Sequence, residues 1–324
     1  MNTQLTEKDK GNGTSGAGRV DVAILMCTYN GAVYLQEQLE SFSSQSHTDW
    51  TLYVSDDGST DATLALLADY QQRWGAERLV IFDGPRQGFG KNFISLLKRP
   101  EVQARYYAFS DQDDIWHSDK LERSVKRLSS IAEDTPAFYC SRTRLVDAEA
   151  NVIGYSPLFT RAPSFRNALV QSLAGANTML INGCARELLL QVPEDAIVVA
   201  HDWLTYLLVT GCGGQAIYDA EPSIDYRQHG ANLIGSNASL KDRINRFRKM
   251  LSGRFVEWND TNLQILTAMQ PLLTPESKAT MSHFTTARRS NLQGRLQAFL
   301  KSGIYRQTAP GNLSLILAAC LGRI

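Results

Sequence analysis

Four apolar runs, at 22–26, 51–55, 79–82 and 106–109, are separated by segments with helical spacing. This alternation constrains the fold more than any other feature of the chain. VAILM, the first run, is continuous, as a strand covered on both faces requires. Leu35, Leu39 and Phe42 then recur at i, i+4 and i+7, the stripe of a helix. Leu64, Leu67 and Trp74 mark a second helix over 61–74, Phe93, Leu96 and Leu97 a short third, and Leu121, Val125 and Leu128 a further one. Strand and helix in turn imply an α/β fold, with a mostly parallel, Rossmann-like sheet and helices on both faces. Ligands on such sheets gather at the carboxyl ends of the strands, near a switch in strand order. Polar motifs stand at those ends: CTYNG after the first run, DDGSTD after the second and DQDD after the fourth.

Beyond residue 140 the pattern is less regular. LAGANTMLIN is followed by a helix from about Cys184 to Leu190, then by HDWLTYLLV and YRQHGAN. The stretch KDRINRFRKMLSGR, 241–254, is strongly basic, and the remainder reads as helical. With 324 residues and 43% hydrophobic content, the chain suits one large domain or a domain with an appendage. Lys plus Arg and Asp plus Glu are both 33, so no global field favours nucleic acid. Five scattered cysteines without zinc or CxxC spacing read as reduced cytosolic thiols. Residues 1–19 are polar and glycine-rich, unlike a signal peptide, and are expected to be a disordered tail. The expected division is the tail 1–19, a main domain 20–238 and a basic, helical C-terminal region 239–324.

The stretch FSDQDDIW sets three carboxylates, Asp111, Asp113 and Asp114, directly behind an apolar strand. Two carboxylates ~5 Å apart repel by roughly 3 kcal/mol at an effective dielectric near 20. If the strand stays extended, Asp111 and Asp113 share a face and Asp114 points away. An Asp-x-Asp at a ligand-facing edge is a hard-oxygen site for Mg²⁺ or Mn²⁺, which would offset the repulsion. A solvated loop is the plainer alternative. In DDGSTD, one of Ser59, Thr60 and Asp61 can cap the next helix while Asp57 faces a ligand, such as the imide N–H of a pyrimidine. Backbone groups and the Tyr29 ring of CTYN can hold a base. Asp202 in HDW suits a general base. His229 in YRQHG is either a packed histidine or a metal or phosphate group. No GxGxxG follows the first strand, which argues against a dinucleotide fold.

Taken in order, VAILMCTYNG, DDGSTD, SDQDDIW, GANT, HDW and YRQHGAN resemble the family 2 glycosyltransferases of GT-A fold, over roughly 21–235. The resemblance implies that Asp57, with Thr28, Tyr29, Asn30 and Asn92, binds the nucleotide. It implies that Asp111 serves the ribose, that Asp113 with His229 holds Mg²⁺ or Mn²⁺, and that Asp202 is the catalytic base of an inverting transfer. Gly175, Asn177, Thr178 and Trp203 are expected on the acceptor side. GFGKNF, SDQDDIW, HDW and YRQHG more narrowly resemble bacterial rhamnosyltransferase-like members that build O-antigen or other surface polysaccharides. That would make dTDP-rhamnose a candidate among nucleoside diphosphate sugar donors, with a saccharide or lipid-linked saccharide as acceptor. The rivals are a catalytically silent sugar-nucleotide-binding relative and an Asp-dependent phosphotransferase, although no DxDGT string occurs. A cytoplasmic location is expected. The segments 241–254 and 313–321 could hold the chain on the inner face of the membrane, or pack into an appendage or a homo-oligomer contact.

Overall fold

The structure is a computed structural model that describes residues 20–229 and 254–324. The 1–19 tail, Gly230–Asn232 and nearly all of the basic stretch lie outside the described residues, as does the expected boundary at 238/239. The elements run β1 (Val20–Thr28), α1 (Leu35–Ser43), β2 (Trp50–Asp56), α2 (Thr63–Trp74), β3 (Leu79–Asp83), α3 (Phe89–Leu97), β4 (Ala104–Ser110), β5 (Ile115–Trp116) and α4 (Lys120–Leu128). There follow β6 (Ala137–Ser141), β7 (Arg144–Val146), β8 (Val152–Tyr155), α5 (Phe165–Ala168), β9 (Leu180–Asn182), α6 (Gly183–Leu190), α7 (His201–Gly211), β10 (Gln215–Asp219) and β11 (Ile224–Arg227). After the undescribed stretch come α8 (Arg254–Ala268), α9 (Pro275–Arg289), α10 (Leu292–Ser302) and α11 (Ala309–Cys320).

The main sheet has the strand order β10-β6-β9-β4-β1-β2-β3. It is mostly parallel, with β9 inserted antiparallel between β4 and β6. A strand of period two buried on both sides must supply two cores, and β1 does. Val22, Ile24 and Met26 join a cluster with α1, α2 and α4, while Ala23 and Leu25 join the opposite one with α3, α7 and the C-terminal helices. All five are fully buried. Each large aliphatic side chain among them contributes roughly 1.5–3 kcal/mol relative to exposure. Phe255, Leu266, Phe284, Leu315 and Ala318 belong to the same cluster as Leu25, so the C-terminal helices pack onto this core.

In α2 the inward face is Thr63, Leu67 and Tyr70, and Leu64 is 44% exposed, contrary to the periodic reading. Thr63 turns inward because its hydroxyl donates to Asp61 and accepts from the Gly31 amide, fixing the helix start against the loop after β1.

A second, four-stranded sheet has the order β5-β11-β7-β8. Its polar clamp is Asp225, which accepts two hydrogen bonds from Arg144 at 2.5 and 2.8 Å and pairs with His117 at 3.0 Å. Burial pushes the Asp225 carboxyl upward, but the hydrogen bonds and charges of His117 and Arg144 outweigh it and hold the group at about 2. A depressed carboxylate stabilises the fold above its ordinary range, and that contribution is lost as pH falls toward the folded value. Asp225→Asn should therefore cost about 1–3 kcal/mol in urea unfolding at neutral pH. The gap between variant and parent should close on acidification toward pH 2. A gap that persists there would assign the loss to packing.

Candidate active site

The chain reverses its strand order at β1, which has β2 on one side and β4 on the other. The ends of these three strands converge there, and each polar motif takes its position from this convergence.

β4 stops at Ser110, and residues 111–114 bend. The extended-strand reading fails here, because one oxygen from each of Asp111, Asp113 and Asp114 lies within 4.8 Å of the others. Asp114 is fully buried. It accepts from the Asn177 amide at 2.6 Å and from the Arg227 backbone N–H at 3.3 Å. Burial, then repulsion from Asp111 and Asp113, pushes it well above the usual carboxylate range. Asp111 is raised to about 7 by burial of its carboxyl, then by Asp113 and by Asp202. Asp202's charge therefore acts on the cluster although it lies far along the chain. Asp113 remains partly exposed, and its Oδ2 meets His229 Nε2 at 2.8 Å.

Two residues that the sequence reading did not single out hold this bend. Arg227 is 1% exposed; it donates to the Asp113 carbonyl at 3.1 Å, to the Ala148 carbonyl at 2.5 Å and to Glu37 at 2.6 Å. Its guanidinium stacks over the Tyr34 ring, and that ring packs on His229 with centroids 4.8 Å apart. Gln112 accepts from the Tyr29 N–H at 2.9 Å and donates to the Tyr29 carbonyl at 3.1 Å, tying CTYN to DQDD. A Cβ on Gly31 would lie 2.2 Å from Gln112 Oε1, which explains the glycine. The only signal for either residue was its place inside a motif, YRQHG or DQDD.

Several residues expected at the nucleotide spend their side chains elsewhere. Thr28 is buried and donates to Asp56 at 2.7 Å. Asp56 itself closes the turn by accepting from the Gly58 and Ser59 amides. Asn92 is buried and exchanges two hydrogen bonds with Ser55, strapping α3 to β2. Asn30, at φ 47°, accepts from the Thr60 amide at 2.8 Å. Tyr29 is 59% exposed, so its ring is open to a planar ligand. Asp57 accepts from the Arg86 and Gly88 amides at 2.6 and 2.8 Å, gripping the loop after β3. Each of its oxygens keeps a further lone pair.

Asp202 stands in the first turn of α7, where the helix dipole favours its anion. It accepts from Ser172 Oγ at 3.1 Å. Burial raises its pKa, against hydrogen bonds from the Trp203 amide, Ser172 and its own amide. The neighbouring His201 stacks on Phe93 and meets Phe109 edge-on, so the start of α7 is pinned beside the end of β4. Burial lowers the His201 pKa to about 3 and holds the ring neutral. On the expected acceptor side, Trp203 is buried and donates to the Ala168 carbonyl, Thr178 is buried and donates to the Gly175 carbonyl, and Asn177 supports Asp114. These three side chains are engaged in the frame. A Cβ on Gly175 would lie 2.6 Å from Asn177 Oδ1.

The donor set at the bend consists of carboxylate oxygens with one imidazole nitrogen close by. That chemistry fits a hard divalent cation.

The sequence profile of Glycosyl transferase family 2 matches residues 23–185, which carry β1 through the start of α6. The dTDP-rhamnosyl transferase RfbG of Shigella flexneri is 30% identical over 231 residues, covering 68% of this chain and 77% of that one. TuaG of Bacillus subtilis strain 168, named for teichuronic acid biosynthesis, is 30% identical over 220 residues, covering 67% and 82%. In fold, S. aureus TarS 1-349 in complex with UDP-GlcNAc superposes with a TM-score of 0.52 at 15% identity, covering 88% of this chain and 93% of that one. The motifs gathered at the strand ends and the match across half the chain agree: this protein belongs to glycosyl transferase family 2 and is a glycosyltransferase of GT-A fold.

Proposed function

We propose that this enzyme transfers a sugar from a nucleoside diphosphate sugar to a hydroxyl of a saccharide or lipid-linked saccharide, with inversion and with a divalent ion. The observation that carries the reading is the convergence of Asp111, Asp113 and Asp114 at the end of β4, with Asp202's charge acting on Asp111. Asp113 would hold the ion with His229 beside it, and Asp111 would serve the ribose. Asp114 is committed to Asn177 and Arg227 and fixes the bend. The ion, when bound, would neutralise charge growing on the departing diphosphate. Tyr29 and Asp57 flank the position for the base. Asp202 takes the acceptor proton at a carboxylate oxygen as the acceptor oxygen attacks the anomeric carbon from the face opposite the leaving group. Burial raises its pKa, which makes it a better base than a free aspartate. The likeness to RfbG, a dTDP-rhamnosyl transferase, supports dTDP-rhamnose as the donor, and the likeness to TuaG, named for teichuronic acid biosynthesis, supports polysaccharide synthesis as the setting.

A thermal-shift panel of nucleotide sugars with Mn²⁺ tests the donor, because a ligand bound only by the native state raises the melting temperature. The largest shift is expected with dTDP-rhamnose, and turnover should release dTDP without inorganic phosphate. Release of phosphate would point to the phosphotransferase, and binding without any turnover to the silent relative.

A further inference from the structure

The last helix, α11, carries two faces of apolar residues where a surface helix normally has one. Leu315, Ala318 and Ala319 are buried in the core cluster. Leu313, Ile316, Leu317 and Leu321, spaced i, i+3, i+4 and i+8, form a second stripe that is 43–62% exposed. Single exposed leucines are ordinary, but a contiguous row marks a contact surface. Charge says what the surface meets. Residues 277–324 contain seven Lys and Arg and no Asp or Glu, against 26 and 33 in residues 1–276 of a chain with zero net charge. The arginines stand at both ends of the stripe. Arg306 lies against Gly311 at the start of α11, and Arg295 lies against Gly322 just past its end. Arg295 also donates to the Ala319 and Cys320 carbonyls. Arg288 is only 7% exposed and is tied to Asp260, so it takes no part in this rim.

We propose that α11 is a docking surface for an anionic lipid bilayer, lying in the plane of the interface with Leu313, Ile316, Leu317 and Leu321 in the acyl boundary and the arginines at the headgroups. The 12-residue helix spans only ~18 Å and so lies on the membrane without crossing it. No helix among the described residues is long and apolar enough to cross. A second copy of the chain fits the face less well, since a symmetric contact would set one basic rim against another. The inference does not depend on the donor or the mechanism proposed above.

The test is co-sedimentation of the full chain with vesicles of phosphatidylcholine alone or with an equal part of phosphatidylglycerol, at low and high salt. Binding is expected only to the anionic vesicles and should weaken with salt. Ile316→Asp with Leu321→Asp, at exposed positions, should lower partitioning about tenfold or more. Arg289→Glu with Lys301→Glu, also at exposed positions, should do the same without touching the stripe. Release of nucleoside diphosphate with a soluble acceptor should be unchanged in both variants, which separates this surface from the reaction. The proposal is overturned by no binding at low salt, by equal binding to both vesicle types, or by full binding of both variants. It is equally overturned if the chain self-associates through this stripe and shows no lipid affinity.

Discussion

Asp113→Ala should lose turnover by about 10³-fold or more, the scale of several kcal/mol of charge stabilisation at a departing phosphate, and yet melt no lower than the parent. The two halves of this expectation come from different atoms of one residue. The Asp113 carbonyl is held by Arg227, and alanine keeps that bond. The carboxylate touches His229 and adds to the repulsion that raises both Asp111 and Asp114. Its removal therefore relieves repulsion in the folded state and takes away one of three converging oxygen donors. Donor affinity should fall with the rate, because the ion that Asp113 would hold would also offset the charge of the diphosphate. EDTA should silence the parent enzyme, and Mg²⁺ or Mn²⁺ should restore it. Undiminished activity in chelator would remove the metal from the mechanism. A sharp drop in melting temperature would instead make Asp113 a structural residue.

The parallel half of the main sheet was legible because burial on both faces leaves a continuous apolar run, and VAILM and YYAF are such runs. The antiparallel strand β9 was not legible. It is three residues long and exists because β4 and β6 offer it hydrogen bonds from either side. The same limit governs the site. Residue type and position at a strand end pointed to Tyr29, Asp57, Asp111, Asp113, Asp202 and His229. Whether a polar group faces a ligand or a neighbour depends on partners far along the chain. Thr28 finds Asp56, Asn92 finds Ser55, and Asp114 finds both Asn177 and Arg227. Gln112 and Tyr29 are 83 residues apart. Periodicity is a local signal and carries no information about such pairs. The bend after Ser110 is one case: three charges too close to share an extended strand are folded together around buried amide and guanidinium donors.

Asp202→Asn should lose about 10²-fold or more in turnover, the usual scale for removing a general base, with donor affinity undiminished. Asparagine keeps the size, and its carbonyl oxygen can still accept from Ser172. The fold and the start of α7 should therefore survive. Asp202 acts on Asp111 by its charge but is not one of the three converging carboxylates, so the donor set for a cation stays whole in the variant. Binding and rate thus come apart here, whereas in Asp113→Ala they fall together. The pH profile supplies a second readout. The ionised carboxylate is the active form and burial raises its pKa, so the parent's rate should decline on acidification above the range of a free aspartate. In the asparagine variant the part of that decline due to Asp202 should disappear, leaving the part set by Asp111, whose carboxyl burial raises to about 7. Direct displacement assisted by one base also fixes the stereochemistry: the anomeric configuration of the product, read from its NMR coupling, should be opposite to that of the donor. A retained configuration, or an asparagine variant that turns over at near the parental rate, would overturn Asp202 as the base.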